Sequence, residues 1–260
     1  MTAPPRLPLR TRAAIFLRLF AVQGAWNYET MAGNGIAFAV EPALRLLPGG
    51  KGGEAYRSAM ARQSGYFNSH PYLAGVAVGA IARAELSLED PDRIDKFRAA
   101  CCGPLGSVGD RLVWAGWLPA CSLLALAAFG FGASPAGVAL LFLGSYNAGH
   151  LALRLWGLRV GYRDGLRVAP ALGAPLFRQG PAHMARAAAL IGGVAIPLAI
   201  RGVIGPEHIR TPLGPLLSLP IVLAGSVLGA AALARLHGRA EGWRLAVVAL
   251  ALFILFSVVR

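Results

Sequence analysis

From Leu112 to Leu153 the chain carries no Asp, Glu, Lys or Arg. A helix needs about 20 apolar residues to cross the hydrocarbon core of a bilayer, so this run is long enough for two crossings. A water-soluble protein has no use for it, because its surface helices keep one charged or polar face. Composition agrees: 14% of the residues are charged, against about 25% in soluble domains. Gly130, Gly132, Ser134 and Pro135 sit midway along the run. They supply turn chemistry, so the run predicts a pair of helices joined by a tight connection.

Three more apolar runs follow, at roughly 187–200, 213–234 and 245–259, with Pro197, Pro215 and Pro220 as expected kinks. The N-terminal part reads differently. Ile15, Leu19, Val22 and Trp26 share one helical face, but Arg18, Asn27 and Glu29 interrupt a full crossing. An interfacial helix fits that pattern. Glu54–Phe67 reads as a helix after a glycine-rich loop. Pro71–Ala82 is apolar but too short to span, which suits a re-entrant segment. Within it Gly75 and Gly79 form a small-x-x-x-small pair, a pattern that permits close helix packing. Residues 83–98 hold the densest charge and read as a solvated loop or short surface helix. The expected fold is an all-α polytopic membrane protein. Interfacial and re-entrant helices occupy 1–98, with the charged connector, and about five transmembrane helices occupy 99–260.

The net charge is +13, and all but two of the 25 basic residues, Lys51 and Lys96, are Arg. Such an excess in a soluble protein points to nucleic acid. Here the arginines cluster at the ends of apolar runs, the pattern of membrane orientation and anionic lipid. Loop 154–186 holds six arginines, Arg154 to Arg186, against Asp164, and loop 235–244 holds three against Glu241. Both are expected in the cytoplasm, with loop 201–212 and the C-terminus outside. The start of the chain, with Arg6, Arg10 and Arg12, lacks the clean apolar stretch of a cleavable signal peptide. Cys101, Cys102 and Cys121 have no metal-binding spacing. No phosphate-binding loop, Ser-His-Asp order or metal cluster is present, and no cofactor is expected.

Three polar clusters stand against this apolar background: Gln23-Gly24-Ala25-Trp26-Asn27-Tyr28-Glu29, Phe67-Asn68-Ser69-His70-Pro71-Tyr72, and Gly103 through Asp110 to Trp114. Asn, Glu, His and Asp can bind sugar hydroxyls as donors and acceptors. Trp and Tyr offer flat faces on which a pyranose stacks. Gly and Pro break helices where a cavity is lined at membrane depth. The same groups could instead cap broken helices and fasten hairpins. The candidate substrate-binding residues are Trp26, Asn27, Glu29, Asn68, His70 and Asp110; no catalytic residue is nominated. His150 near Asn147 reads as a satisfied contact between helices.

In order and separation these clusters resemble the IID subunits of the mannose-fructose-sorbose family of the bacterial phosphotransferase system. The resemblance covers roughly residues 13–165. It implies a multi-pass protein of the bacterial cytoplasmic membrane, assembled with a IIC membrane subunit into a hetero-oligomer that forms the path of a hexose. Soluble IIA and IIB proteins would relay phosphate to the sugar, with no phosphohistidine on this chain and no nucleic acid involved. Two positions depart from the family pattern, Arg111 and Trp117. A permanent cation in a neutral-sugar path needs a compensating acid, and this motivates an alternative expectation, a regulatory or scaffolding membrane protein derived from the family.

Overall fold

The computed structural model describes residues 6–204. The expected spans at 213–234 and 245–259, loop 235–244 and the C-terminus lie outside the described residues, as does most of loop 201–212. The described chain is helical, and among these residues no strand forms. Two isolated bridges, Asn27 with Met31 and Met31 with Phe67, are the exceptions to helix and turn that matter for the site.

Among the described residues, one compact unit comprises 6–118 and Leu143–Pro181. Its centre is α4 (Ala74–Leu86), buried at every position except Arg83 and Leu86. A helix that is apolar all round must be enclosed, and this one is too short to face lipid across a bilayer. α1 (Leu9–Arg18) and the turn after it contribute Ile15, Leu19 and Val22 to the same core. Trp26 shares their helical register in sequence but lies exposed, because the helix stops before it. α2 (Gly33–Leu44) packs on α1, on α4 and on α3 (Glu54–Ser64).

α5 (Pro91–Gly109) begins with an Asp90 side chain accepting from Asp92 N at 3.0 Å and with Pro91 in the first turn. It runs without a break into a π-helix over Asp110–Trp117 and then α6 (Leu118–Gly130). A turn with Gly132 at φ +90° leads to α7 (Pro135–Asp164), whose start is tied by Ser134 Oγ accepting from Gly137 N. The helical pair expected from the uncharged run is therefore present. The continuous helices Pro91–Gly130 and Pro135–Arg167 are both long and apolar enough to cross a membrane. α8 (Ala169–Leu172) and α9 (Pro175–Ile204) follow. Among the described residues, a second unit holds Pro119–Phe142 and 182–204. Within its described part Gly130 lies against Leu198, and Gly192 against Leu123.

The Gly75–Gly79 pair meets a matching pair on α7, Gly157 and Gly161. Cβ atoms at Gly75 and Gly79 would fall 3.0 Å from Arg154 O and 2.6 Å from Leu158 O, and one at Gly161 would collide with Val76 O. The two backbones touch directly, the arrangement that small-x-x-x-small pairs allow.

A buried charged network corrects the reading of 83–98 as a solvated segment. Glu85, on α4, is buried and receives Arg62 at 3.1 Å and Gln63 Nε2 at 2.7 Å. Gln63 Oε1 accepts from buried Arg98 Nη1 at 2.5 Å, and Arg98 Nη2 donates to Gly65 O at 2.9 Å. A second network lies outside that stretch: Glu41 accepts from Arg18, Arg45 and Tyr56 at 2.6–3.0 Å. Burial works to raise the Glu41 pKa, but the hydrogen bonds from Arg45, Tyr56 and Arg18 outweigh it and hold the carboxyl below its usual range. Removing one partner of a buried pair leaves an uncompensated charge and costs about 3–5 kcal/mol. Glu85→Ala should therefore lower the thermal midpoint of the purified chain well below that of Glu89→Ala, whose pair with Arg93 lies at the surface. Equal midpoints for the two variants would count against the network.

Arg154 also corrects the sequence reading, in which it belonged to a loop. α7 continues through it, and its side chain is buried, donating to Leu19 O and lying 4.9 Å over the rings of Phe20 and Tyr72.

Candidate functional site

The three polar clusters come together within the first unit. The segment after α1 turns back at Gln23–Trp26, with Trp26 N donating to Gln23 O at 3.1 Å. Asn27 then organises a local turn. Its Oδ1 accepts from Glu29 N and Thr30 N at 2.9 and 2.8 Å, and its Nδ2 donates to Thr30 Oγ1 at 2.8 Å. This is the Asx-turn chemistry that lets Asn hold an irregular segment. Met31, at φ +54°, donates to Asn27 O at 2.9 Å, and Ala32 N donates to Phe67 O at the same length. The first cluster is thereby laced by backbone bonds to the second, anchored by the fully buried ring of Phe67.

The second cluster is joined to the third at His70. His70 N donates to Leu105 O, and the side chain lies flush against Gly109, where any Cβ would collide with it. Its ring packs 5.1 Å from Trp114 and 5.0 Å from Tyr72, and Tyr72 OH shares a 2.7 Å hydrogen bond with Tyr146 OH. The result is a cleft of about 350 Å³, within the size range of small-ligand sites. Trp26, Asn68, His70, Asp110 and Trp114 line it, with Gln23, Ser69 and Ser107 adding polar atoms. Gly103 and Gly106 line the same cleft, and a Cβ on either would meet nothing within 4 Å.

The hydrogen-bonding state of His70 follows from its surroundings. Tyr72 N donates to His70 Nδ1 at 3.2 Å, so a neutral ring carries its proton on Nε2. His70 lies in the connection before α4, outside both apolar spans. Burial, helped by the nearby Arg154 guanidinium, pushes its pKa down to about 4, so the ring is neutral at physiological pH. Nε2 and Ser69 Oγ are buried and make no hydrogen bond among the described residues. The cleft wall thus presents an N–H donor at His70, a hydroxyl at Ser69, an amide at Asn68 and a carboxylate at exposed Asp110. Two indoles flank them. No group of three His, Cys, Asp or Glu side chains in metal-binding geometry occurs among the described residues.

Of the six residues nominated from sequence, Trp26, Asn68, His70 and Asp110 meet in the cleft. Asn27 is occupied with its own turn and Glu29 is exposed; neither lines the cleft. Arg111 is exposed too, with Nε donating to Ser107 O at 3.1 Å, and it is absent from the lining. Trp117 packs against Gly149 of α7. Ser69 and Trp114 belong to the polar clusters and line the cleft without standing among the six candidates. Their signal was the position of each beside a nominated residue. The π-helical Asp110–Trp117 segment had no signal; π-bulges of this kind recur at functional sites. His150 bonds Asn147 Oδ1 at 2.8 Å, but within α7 and not between helices, and its buried Nδ1 makes no hydrogen bond among the described residues; its ring stacks on Tyr72 at 4.9 Å.

Known proteins resemble this chain in sequence and in fold. The profile of the phosphotransferase-system mannose/fructose/sorbose family IID component matches residues 6–196. The mannose-specific EIID component of Escherichia coli K12 is 29% identical over 221 residues, 76% of this chain and 74% of that protein. The sorbose-specific EIID component of Klebsiella pneumoniae is 32% identical over 173 residues, 64% of this chain and 61% of that one. The fructose permease IID component of Bacillus subtilis is 29% identical over 175 residues, 65% and 62% of the two chains. Among solved structures, a chain of the cryo-EM complex of the mannose transporter ManYZ with microcin E492 aligns with a TM-score of 0.54 at 22% identity, covering 98% of this chain and 97% of that one. A chain described only as a membrane protein aligns with a TM-score of 0.61 at 22% identity, covering 96% of each. With an uncharged helical pair, the three polar clusters and a matching profile over most of its length, the chain belongs to the IID component family of the mannose/fructose/sorbose phosphotransferase system, as a membrane subunit of a sugar phosphotransferase transporter.

Proposed function

We propose that the cleft between Trp26, Asn68, His70, Asp110 and Trp114 is this subunit's part of the path taken by a hexose. The observation that carries the reading is the pair of buried, unpaired polar atoms, His70 Nε2 and Ser69 Oγ, in the wall of a cleft flanked by two indoles. Buried polar groups are almost always satisfied, and a sugar hydroxyl would satisfy both. Asp110 and Asn68 add the acceptor and the donor that orient a polyol, and Trp26 and Trp114 offer stacking faces. Arg111 has its Nε engaged with Ser107 O and stays out of the lining, so the objection that a permanent cation obstructs the path loses its force.

In this reading the chain works with a IIC subunit in a hetero-oligomer of the bacterial cytoplasmic membrane, and IIA and IIB proteins phosphorylate the sugar. The chain itself orients and passes the sugar and holds no phosphoryl group. The helices Pro91–Gly130 and Pro135–Arg167 supply two crossings, and α4 supplies a short enclosed helix. The family's relatives are named for mannose, sorbose and fructose, and a hexose is the substrate class proposed here.

The test is phosphorylation-coupled uptake of labelled hexoses by cells carrying this chain with its own IIC, IIA and IIB partners. A hydrogen bond to a charged group contributes about 1.5–3 kcal/mol. Asp110→Asn should therefore reduce uptake by roughly 10- to 100-fold, and Asn68→Ala by less, with the IIC–IID pair still co-purifying. Wild-type uptake in both variants, or no uptake of any hexose by the assembled wild-type complex, refutes the reading.

A further inference from the structure

A second cleft, of about 340 Å³, lies apart from the sugar site, between the start of α1 and the end of α7. Arg6, Arg12, Arg159 and Arg163 surround it. All four side chains are exposed. Arg163 bonds Asp164 at 2.7 Å, whereas among the described residues no carboxylate forms an ion pair with Arg6, Arg12 or Arg159. Arg83 donates to Arg163 O. The floor is apolar: Leu7 and Leu158 are buried in it, and the Tyr162 ring borders it.

Four cations around an apolar floor make an unusual surface. A soluble anion would use the cations and leave the floor bare. α7 belongs to an apolar span, and α1 leaves Leu9 and Leu17 largely exposed among its arginines, the composition of a helix lying in a membrane interface. Basic pockets between helices at the cytoplasmic boundary bind anionic headgroups. Planar guanidinium groups also match phosphate oxygens in pairs.

From these observations we infer that Arg6, Arg12, Arg159 and Arg163 form a binding site for the phosphate headgroup of an anionic phospholipid, whose glycerol and first acyl carbons lie on Leu7, Leu158 and Tyr162. The inference rests on membrane embedding and not on the sugar reading, so either can fail without the other.

The experiment uses the full-length chain purified in a mild, neutral detergent. Binding of phosphatidylglycerol, cardiolipin and phosphatidylcholine is titrated by native mass spectrometry, with inorganic phosphate as a competitor. The two anionic lipids should bind saturably and at least tenfold more tightly than phosphatidylcholine. A basic residue near a headgroup is worth about fivefold in affinity. Arg12→Gln with Arg159→Gln should therefore weaken binding by roughly 25-fold, and Arg57→Gln, an exposed arginine on α3, should leave it unchanged. Both variants alter exposed side chains, and an unchanged elution volume verifies that they fold. Equal binding of phosphatidylcholine, wild-type affinity in the double variant, or displacement of the lipid by millimolar inorganic phosphate each overturns the assignment. Loss of a co-purifying soluble partner with lipid binding intact overturns it as well, in favour of a protein contact.

Discussion

Gly161→Leu abolishes the folded chain. A Cβ at this position collides with Val76 O and lies 3.0 Å from Ala80 N, so the obstruction is backbone on α4 and cannot rotate away. Overpacking that only displaces side chains costs about 1–3 kcal/mol. Here α4 and α7 must separate, and the contact across Gly75, Gly79, Gly157 and Gly161 is lost at every level. That contact is also what seats the core of the first unit, since α4 is its most enclosed helix. The expected result is loss of the monodisperse peak in size-exclusion chromatography after mild extraction, with degradation in the cell. Gly144→Leu is the matched control. It lies on the same helix, and a Cβ there meets nothing within 4 Å, so its peak should match wild type. A wild-type profile for Gly161→Leu would show that the two helices are not held in this contact.

The Gly75–Gly79 pair was visible in the sequence, but its partner was not. Glycine is abundant in this chain, with 33 residues, and spacing alone does not say which two pairs face each other. The uncharged run and its Gly-Ser-Pro centre gave the α6–α7 connection directly, because length and turn chemistry are local properties. Burial of charge is not local. Glu85 and Arg98 lie in the most charged stretch of the chain, and their hydrogen-bonding partners, Arg62 and Gln63, come from another helix. Arg154 misled the reading in the opposite way. A charge at the edge of an apolar run looks like a loop residue, whereas here it sits inside α7 with its charge over two aromatic rings.

The site was legible as three clusters and not as one cleft. Periodicity placed no cluster against another. Their meeting depends on the Met31–Phe67 lacing and on the close fit of His70 to Gly109, both contacts between segments distant in sequence. Asn27 and Glu29 carried the same chemical promise as their neighbours, yet Asn27 spends its side chain on the local turn.

Gly106→Leu separates the fold from the function. Gly106 lines the cleft, and a Cβ there meets nothing within 4 Å, so a larger side chain can extend into the cleft without moving a neighbour. Within a helix the replacement also removes a glycine penalty of about 0.8–1 kcal/mol. Stability should therefore hold or rise while the space for a hexose is lost. Uptake through the assembled complex should fall by about 100-fold, a barrier or binding change of roughly 2.7 kcal/mol. A drop in both thermal midpoint and uptake would point instead to a structural role for this position.

In the proposed reading the sugar occupies the cleft where the three clusters meet. Its most direct test is equilibrium binding of hexose, by isothermal titration, to the purified IIC–IID pair carrying wild-type, Asp110→Asn or Gly106→Leu chain. Saturable binding by the wild-type pair, weakened at least tenfold by Asp110→Asn and absent with Gly106→Leu in pairs of unchanged thermal midpoint, is the predicted result. Wild-type affinity in the Gly106→Leu pair would contradict it.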